Sequence, residues 1–236
     1  GDWSGSHNDL AAGVDLYHTD HSRAGISVMH TNSSLDRTEN LGEVSMKKKF
    51  TRVSLYGRHD FAGGLYAAGD VFAGGIRIKD TSLVDMSTRT AGVHAEVCVD
   101  VPAGRGTITP LVRAAYAGIR GFTTKDGEGF PFTMKESHYS SFSAGLKASL
   151  PLSPVSLLTA YAGWGIRTGY DIDGTMSDAW NTMDISESGK KHVKTLGIGY
   201  RCDVTPFARL SLSAAREFSS GLHDDWNFQV SAAYKF

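Results

Sequence analysis

Two clusters of residues in this 236-residue chain have side chains suited to metal binding or catalysis. His18, Asp20 and His21 could bind a metal ion, since imidazole and carboxylate groups are common ligands. No further ligand is evident, and a solvated turn explains this cluster better. His223 and Asp224 place a base beside an acid, as general acid–base catalysis requires, although a hydrophilic loop tip is the simpler interpretation. The chain contains no phosphate-binding loop, CxxC or GxSxG motif, and we expect no enzymatic activity and no cofactor.

The composition excludes several other classes. The 24 basic and 25 acidic residues give a net charge of −1, so no electrostatic footprint indicates nucleic-acid binding. Hydrophobic residues make up 41% of the chain, yet no run approaches the roughly 18 apolar residues of a membrane-spanning helix. The two cysteines, Cys98 and Cys202, are too few for a disulfide scaffold. Strand parity places them on opposite faces, so we expect no bond between them.

The final ten residues are the most informative segment. Apolar residues occupy alternate positions, at Phe228, Val230, Ala232, Tyr234 and Phe236, and the chain ends on the last of them. A period of two predicts a β-strand with one apolar face. An aromatic residue at the very end of a strand is typical of a transmembrane β-barrel, where aromatic girdles meet the lipid headgroups.

The same alternation recurs along nearly the whole chain. In 139–150, for example, Phe142, Ala144 and Leu146 alternate with Ser143 and Gly145. Each predicted strand is close to the 9–11 residues that a tilted strand needs to cross a bilayer. We predict about eleven strands in one domain, 1–236. They centre on 10–18, 22–31, 48–59, 64–77, 88–101, 106–119, 139–150, 155–167, 192–203, 207–218 and 226–236.

The connections between these strands alternate in length, as in outer-membrane barrels with short periplasmic turns and long extracellular loops. The short ones are 19–21, 60–63, 102–105, 151–154 and 204–206. The long ones are 32–47, 78–87, 120–138, 168–191 and 219–225. The predicted fold is an all-β, antiparallel, up-and-down transmembrane barrel of about twelve strands. Eleven is an odd number, so we expect either a first strand upstream of Gly1, with 1–9 in an extracellular loop, or one strand that escaped recognition.

Charged residues fall on the polar face of the predicted strands. So many charges would strongly destabilise a dry core but suit a water-filled lumen. The predicted lumen-lining charges are Arg52, Arg58, Asp70, Glu96, Arg113, Lys147, Arg167, Arg201, Arg209, Glu217 and Lys235. Basic groups outnumber acidic ones, so the face could attract an acidic segment, or the charges could simply hydrate the lumen and pair across strands.

Four stretches resemble the β-domain of the classical autotransporters. Residues 215–221 with 230–236 are similar to that family's last hairpin, 109–116 to its strands that begin Thr-Pro, and 63–69 to its glycine–aromatic strands. Ser231 departs from the family, which often has glycine there. The resemblance implies a translocator in the bacterial outer membrane that holds its own N-terminal passenger segment in the lumen.

The resemblance also implies that the outer-membrane assembly machinery recognises the last strand, by strand pairing and by pockets for alternate side chains. The residues recognised would be Phe228, Val230, Ala232, Tyr234 and Phe236. A stand-alone barrel, acting as a porin or a surface adhesin, is the alternative function. The loops 120–138 and 168–191 carry aromatic residues that could either bind a partner or fold over the mouth of the barrel.

Overall fold

The computed structural model is built almost entirely of antiparallel strands. It describes residues 3–39, 42–80, 85–125, 130–169, 172–177, 182–187, 191–205, 208–219 and 225–234. Within these ranges, eleven long strands form one continuous sheet. The long strands are β1 (Trp3–His18), β2 (Ser22–Glu39), β3 (Gly42–Asp60), β4 (Leu65–Asp80), β5 (Asp85–Val99), β7 (Gly106–Ile119), β10 (Ser137–Ser153), β11 (Ser156–Thr168), β14 (Lys191–Asp203), β15 (Ala208–Ser219) and β16 (Asp225–Tyr234).

The remaining strands are short. They are β6 (Val101–Ala103), β8 (Phe122–Lys125), β9 (Pro131–Met134), β12 (Ile172–Ser177) and β13 (Thr182–Glu187). β6 pairs with the start of β7, whereas the other four form a second sheet in the order β13-β12-β9-β8. The two longest connections of the main sheet therefore pair with each other through β9 and β12.

Each long strand pairs with the next long strand along the chain, from β1 to β16, in an up-and-down meander. The pairings among the described residues include none between β1 and β16. The registers are regular, with shifts only after Asp15 in β1 and after Pro151 in β10. Because side chains alternate between faces along a strand, such registers give each strand one constant outward face.

The outward face is apolar and exposed. Leu55 of β3, Leu146 of β10 and Ile198 of β14 are 58%, 55% and 57% exposed. Every long strand carries such an exposed apolar side chain, which is unfavourable in water but matches the hydrocarbon of a bilayer. The predicted all-β transmembrane class is confirmed.

The opposite face is concave, because its side chains meet across intervening strands. Lys147 Nζ of β10 lies 3.5 Å from the Tyr66 hydroxyl of β4, although β5 and β7 separate these strands. The Arg113 guanidinium of β7 lies 5.3 Å from the centre of the Tyr161 ring of β11, with β10 between them. The sheet thus curls around its polar face, as the wall of a barrel must.

The strands are longer than predicted. β1 begins at Trp3, so the expectation that 1–9 form a loop is wrong, and the predicted loop 32–47 is mostly the continuation of β2 and β3. The sequence pattern ended early because the outward positions of β2 change from apolar residues to Asn32 and Ser34, while the hydrogen-bonded ladder continues. Backbone pairing does not require apolar side chains, whereas the pattern could only detect them.

The short connections are tight turns. Between β3 and β4, Gly63 and Gly64 have φ angles of +73° and +79°, a region that side chains with a Cβ rarely adopt. A single short 3-10 turn at Ala62–Gly64 precedes β4. Among the described residues, no helix has the length and hydropathy needed to cross a bilayer.

Candidate functional site: the charged inner wall

The predicted lumen-lining charges lie along the concave face, here called the inner wall. In each strand their positions have the parity opposite to the exposed apolar residues. The described members are Arg52 and Arg58 on β3, Asp70 on β4, Glu96 on β5, Arg113 on β7, Lys147 on β10, Arg167 on β11, Arg201 on β14, and Arg209 and Glu217 on β15. Lys235 lies outside the described residues. Of these ten charges, Arg201 and Arg209 are the most exposed, near the ends of their strands.

Two polar pairs join neighbouring strands on the inner wall, of which Arg113 with Glu96 is an ion pair and His94 with Asp70 is one only when the imidazole is protonated. His94 Nδ1 lies 3.3 Å from Asp70 Oδ1, and Arg113 Nε donates a 2.9 Å hydrogen bond to Glu96 Oε2. In both pairs the two residues are directly opposed in the ladder. Opposite charges at such positions stabilise a sheet by roughly 0.2–1 kcal/mol per pair. These carboxylates therefore contribute to holding the wall together.

Arg167 and Glu217 form a third pair that spans a strand. Arg167 Nη1 and Nη2 donate hydrogen bonds of 2.5 and 2.7 Å to the two carboxylate oxygens of Glu217, across the intervening β14. This two-pronged arrangement is the strongest geometry available to an arginine and a carboxylate. Since the side chains are only 32% and 25% exposed, water weakens the pair less than it does a surface pair.

We expect Glu217→Gln to destabilise the folded barrel by about 1–2 kcal/mol, because it leaves the partly buried guanidinium of Arg167 without its carboxylate. A double-mutant cycle with Arg167→Gln, measured by urea unfolding in detergent micelles, would isolate the coupling. Asp203→Asn is the matched control, because its partner Arg209 lies 2.6 Å away in an exposed pair. That change should cost less than about 0.5 kcal/mol. Equal costs for the two carboxylates would contradict the prediction.

A buried cluster lies on the inner wall near the short turns. Tyr66, Cys98 and Leu111 are 5%, 1% and 4% exposed and pack together, with Tyr161 against them. Arg58 lies 3.8 Å above the Tyr66 ring and forms a salt bridge with Asp60. Cys98 is on the inner wall and Cys202 has outward parity, and both thiols are free. The prediction that the two cysteines lie on opposite faces of the sheet is confirmed.

Three buried polar atoms without a partner lie on the same wall, farther from the short turns. Arg52 Nε, Ser54 Oγ and Asp70 Oδ2 are buried and have no hydrogen-bond partner among the described residues. Their strands, β3 and β4, are neighbours. The guanidinium of Arg52 rests 5.1 Å from the centre of the Phe72 ring. Buried polar groups normally have partners, so this part of the wall is suited to receive a further polar group in the lumen.

Sequence analysis missed one feature of the inner wall, the packing of aromatic rings on glycines. A methyl group added to Gly92 would lie 2.6 Å from the Phe72 ring, and one added to Gly145 would lie 2.8 Å from the Tyr161 ring. Tyr56 is placed in the same way against Gly25, its directly opposed residue. The rings lie flat on the wall because the glycines have no side chain. The enrichment of glycine and aromatic residues was the available signal, but only the strand register shows which residues meet.

Of the residues considered for chemistry, the described ones, His18, Asp20 and His21, do not assemble into a metal site. Thr19 lies in a turn in which its hydroxyl accepts a 2.9 Å hydrogen bond from the Ser22 amide, with His18 and His21 exposed on either side. In the part of the chain that the structure describes, no group of three or more histidine, cysteine or acidic residues is placed to hold a metal ion. His223 and Asp224 lie outside the described residues.

The last strand lies at one edge of the main sheet. β16 pairs with β15 through matched positions such as Leu212 with Val230 and Ala214 with Phe228. Phe228 and Val230 are 74% and 72% exposed, and Ala232 and Tyr234 continue the same strand. Phe236 lies outside the described residues. The recognition of this strand by assembly machinery stays a prediction.

A curled antiparallel sheet with an apolar convex face and a charged concave face defines an outer-membrane β-barrel protein. The profile of the family described as autotransporter beta-domain matches residues 2–215. The chain belongs to this family, so the resemblance found in the sequence is confirmed. It is a translocator domain of the outer membrane of Gram-negative bacteria. No curated protein sequence gives a significant match.

Solved structures show the same fold at low sequence identity. The β-domain of the Bordetella autotransporter BrkA is 16% identical with a TM-score of 0.72, over 99% of this chain and 92% of that chain. The transport unit of AIDA-I from Escherichia coli is 16% identical with a TM-score of 0.73, over 99% and 83%. The translocator domain of NalP from Neisseria meningitidis is 17% identical with a TM-score of 0.66, over 99% and 81%.

Proposed function

We propose that the lumen of this translocator holds a segment of the protein's own N-terminal passenger, and that residues 1–236 form one domain without catalytic activity. The observation that carries the proposal is the arrangement of charges on the inner wall. Glu96 and Glu217 each have an arginine partner on the wall, and Asp70 lies 3.3 Å from His94. Arg52 and Lys147 have no carboxylate within salt-bridge distance among the described residues, so the surplus charge available to a lumenal segment is positive.

The buried polar atoms of Arg52, Ser54 and Asp70 support the same proposal. Their missing partners would be supplied by water or by polar groups of a chain in the lumen. An acidic or amide-rich segment lying against β3 and β4 fits both requirements. The contact between Lys147 and Tyr66 places a second positive charge on the same wall, nearer the short turns.

We also propose that the outer-membrane assembly machinery recognises β16 and Phe236. A strand at the edge of a sheet presents unpaired backbone groups, and recognition by strand addition uses these groups together with alternate side chains. Phe228 and Val230 offer two such side chains on the outward face.

The test uses the complete open reading frame in a Gram-negative host. A peptide tag is placed upstream of Gly1, and protease is added to intact cells. We expect the protease to remove the tag, and we expect deletion of Phe236 to abolish this because the barrel is not assembled. If only a signal peptide precedes the barrel, or if the tag stays protected in cells with a folded barrel, the passenger hypothesis is wrong and a stand-alone barrel is favoured.

A second pair of variants tests the inner wall itself. The double change Arg52→Gln with Lys147→Gln should lower the surface-exposed fraction of the tag by about three- to tenfold, since each hydrated charge contact contributes roughly 0.5 kcal/mol or more. Arg105→Gln is the matched control, because Arg105 is exposed in the turn before β7. Barrel yield must be equal in the three proteins. An equal effect of the control would show that the charge of the lumen is not involved.

A further inference from the structure

The small second sheet, built by β8, β9, β12 and β13, has two different faces. One face is polar, and on it the hydroxyl groups of Thr123 and Thr133 lie 3.2 Å apart at directly opposed positions. Residues of the opposite parity form the second face, where the rings of Phe122 and Phe132 lie with their centres 6.2 Å apart. We call this second face the methionine face, because the same rows of the ladder contain Met134, Met176 and Met183.

The three methionines surround one glycine in the ladder. Met134 of β9 is directly opposite Gly174 of β12. Met176 is two residues further along β12, and Met183 of β13 is directly opposite Met176. Directly opposed and diagonal positions on one face are about 5 Å and 7–8 Å apart, within reach of long, flexible side chains. The register therefore places a residue without a side chain at the one position that all three methionines adjoin.

The fold does not explain this concentration of methionine. The chain has six methionines, and three of them belong to these short strands of four or six residues. The other three are Met29, Met46 and Met86, and in β2, β3 and β5 they have the parity of the inner wall. β-Branched and aromatic residues are favoured in strands, whereas methionine is not. The thioether group, rather than apolarity alone, thus distinguishes the methionine face.

The methionine face lies outside the membrane. β9 ends at Met134 and β10 begins at Ser137, and β8 pairs with β9 in the register of β7 with β10, so the small sheet continues the direction of the main strands. Met134 is twelve residues from Leu146 of the lipid-facing band. This separation corresponds to about 30 Å along the membrane normal, at about 3.3 Å per residue and a tilt of about 40°. Since the apolar band is only about 25 Å tall, contact with lipid does not explain the methionines.

We propose that Met134, Met176 and Met183 form a binding site for a soft monovalent metal ion, Cu(I) or Ag(I). Thioether sulfur is a soft ligand and selects such ions, whereas magnesium and calcium are bound by oxygen. Zinc is bound by imidazole, thiolate or carboxylate groups, and none of these is present in the three residues. The ion would link the two hairpins, because Met134 belongs to β8–β9 and the other two methionines to β12–β13. The site is independent of the passenger hypothesis, since it lies beyond the barrel wall.

The test measures the affinity of the purified, folded full-length protein for Ag(I), which keeps its oxidation state during the measurement. Every sample carries Cys98→Ala and Cys202→Ala, because both thiols are free and thiolates bind the same ions. The double change Met176→Leu with Met183→Leu should weaken binding by at least about tenfold, since two of the three ligands are lost. Leucine preserves the apolar volume, so the sheet should be retained.

Met29→Leu is the matched control, because Met29 is half-buried on the inner wall of β2. It should leave the affinity for Ag(I) unchanged. Gly174→Leu keeps all three methionines but fills the position between them, and it should weaken binding as the double change does. The shift in gel mobility between folded and unfolded protein confirms that every variant is folded.

Two further measurements identify the ligands. X-ray absorption by Cu(I), bound under reducing conditions, should show three sulfur neighbours, and an excess of Zn(II) should not displace Ag(I). An unchanged affinity after the double change at Met176 and Met183, or an equal loss with Met29→Leu, would overturn the proposal. Displacement by Zn(II), or a Cu(I) site with only nitrogen and oxygen neighbours, would also overturn it.

Discussion

Leu146→Arg should lower the free energy of unfolding of the folded barrel by about 2–4 kcal/mol, because a charge near the bilayer midplane on the lipid-facing side has that cost. Leu146 is 55% exposed on the convex face and lies between Pro110 of β7 and Ala162 of β11 in the ladder. No carboxylate occupies either of these two partner positions, so nothing in the ladder would offset the charge.

The measurement is urea-induced unfolding in lipid vesicles, followed by the shift in gel mobility between folded and unfolded protein. Ser149→Arg on the same strand is the matched control, because Ser149 is on the inner wall and its substituent would enter the lumen. This control should cost less than about 1 kcal/mol, since lumenal positions tolerate charge. If both variants lost the same stability, the assignment of the two faces would be wrong.

Gly145→Val should destabilise the barrel by about 1–3 kcal/mol, the usual cost of inserting atoms into a packed region. A Cβ at this position would lie 2.8 Å from Cε2 of Tyr161, closer than such atoms approach each other in folded proteins. The ring would have to rotate away from the inner wall, and its contact with the guanidinium of Arg113 would be disturbed.

Two comparisons separate this collision from a general effect of valine. Ala144→Val, one residue away on the lipid-facing side, should be neutral or slightly stabilising, because it adds apolar surface to lipid. A Cβ at position 145 would also lie 2.8 Å from the backbone carbonyl oxygen of Ala162, so in a Tyr161→Ala background Gly145→Val should lose only the part of its cost that the ring causes. The same unfolding assay measures all four proteins. An undiminished cost without the ring would show that the ring is not its cause.

Alternation in the sequence was sufficient to predict an antiparallel transmembrane sheet with one apolar face. Alternation such as that of Phe142, Ala144 and Leu146 depends only on neighbours along the chain, so it can be detected before the fold is known. The ends of β2 and β3 were missed because pairing continues where Asn32 and Ser34 replace apolar residues.

Contacts between non-adjacent strands could not be predicted. Arg167 reaches Glu217 across β14, and Lys147 reaches Tyr66 across β5 and β7. Both depend on how tightly the sheet curls, which no local pattern encodes. The polar face could therefore be identified from the sequence, whereas the division of its charges into paired and surplus groups required the structure.

The aromatic rings that lie on glycines also determine strand alignment. A slip of one residue between two strands exchanges their faces, so the apolar pattern alone penalises it. A slip of two residues keeps every face correct and escapes that penalty. In the present register Tyr161 lies opposite Lys147 and its ring covers Gly145, whereas a slip of two residues would move the ring onto Ser143 or Lys147, where a side chain already occupies the space. Glycine–aromatic pairs thus select one strand register among those that differ by two residues and that the apolar pattern cannot distinguish.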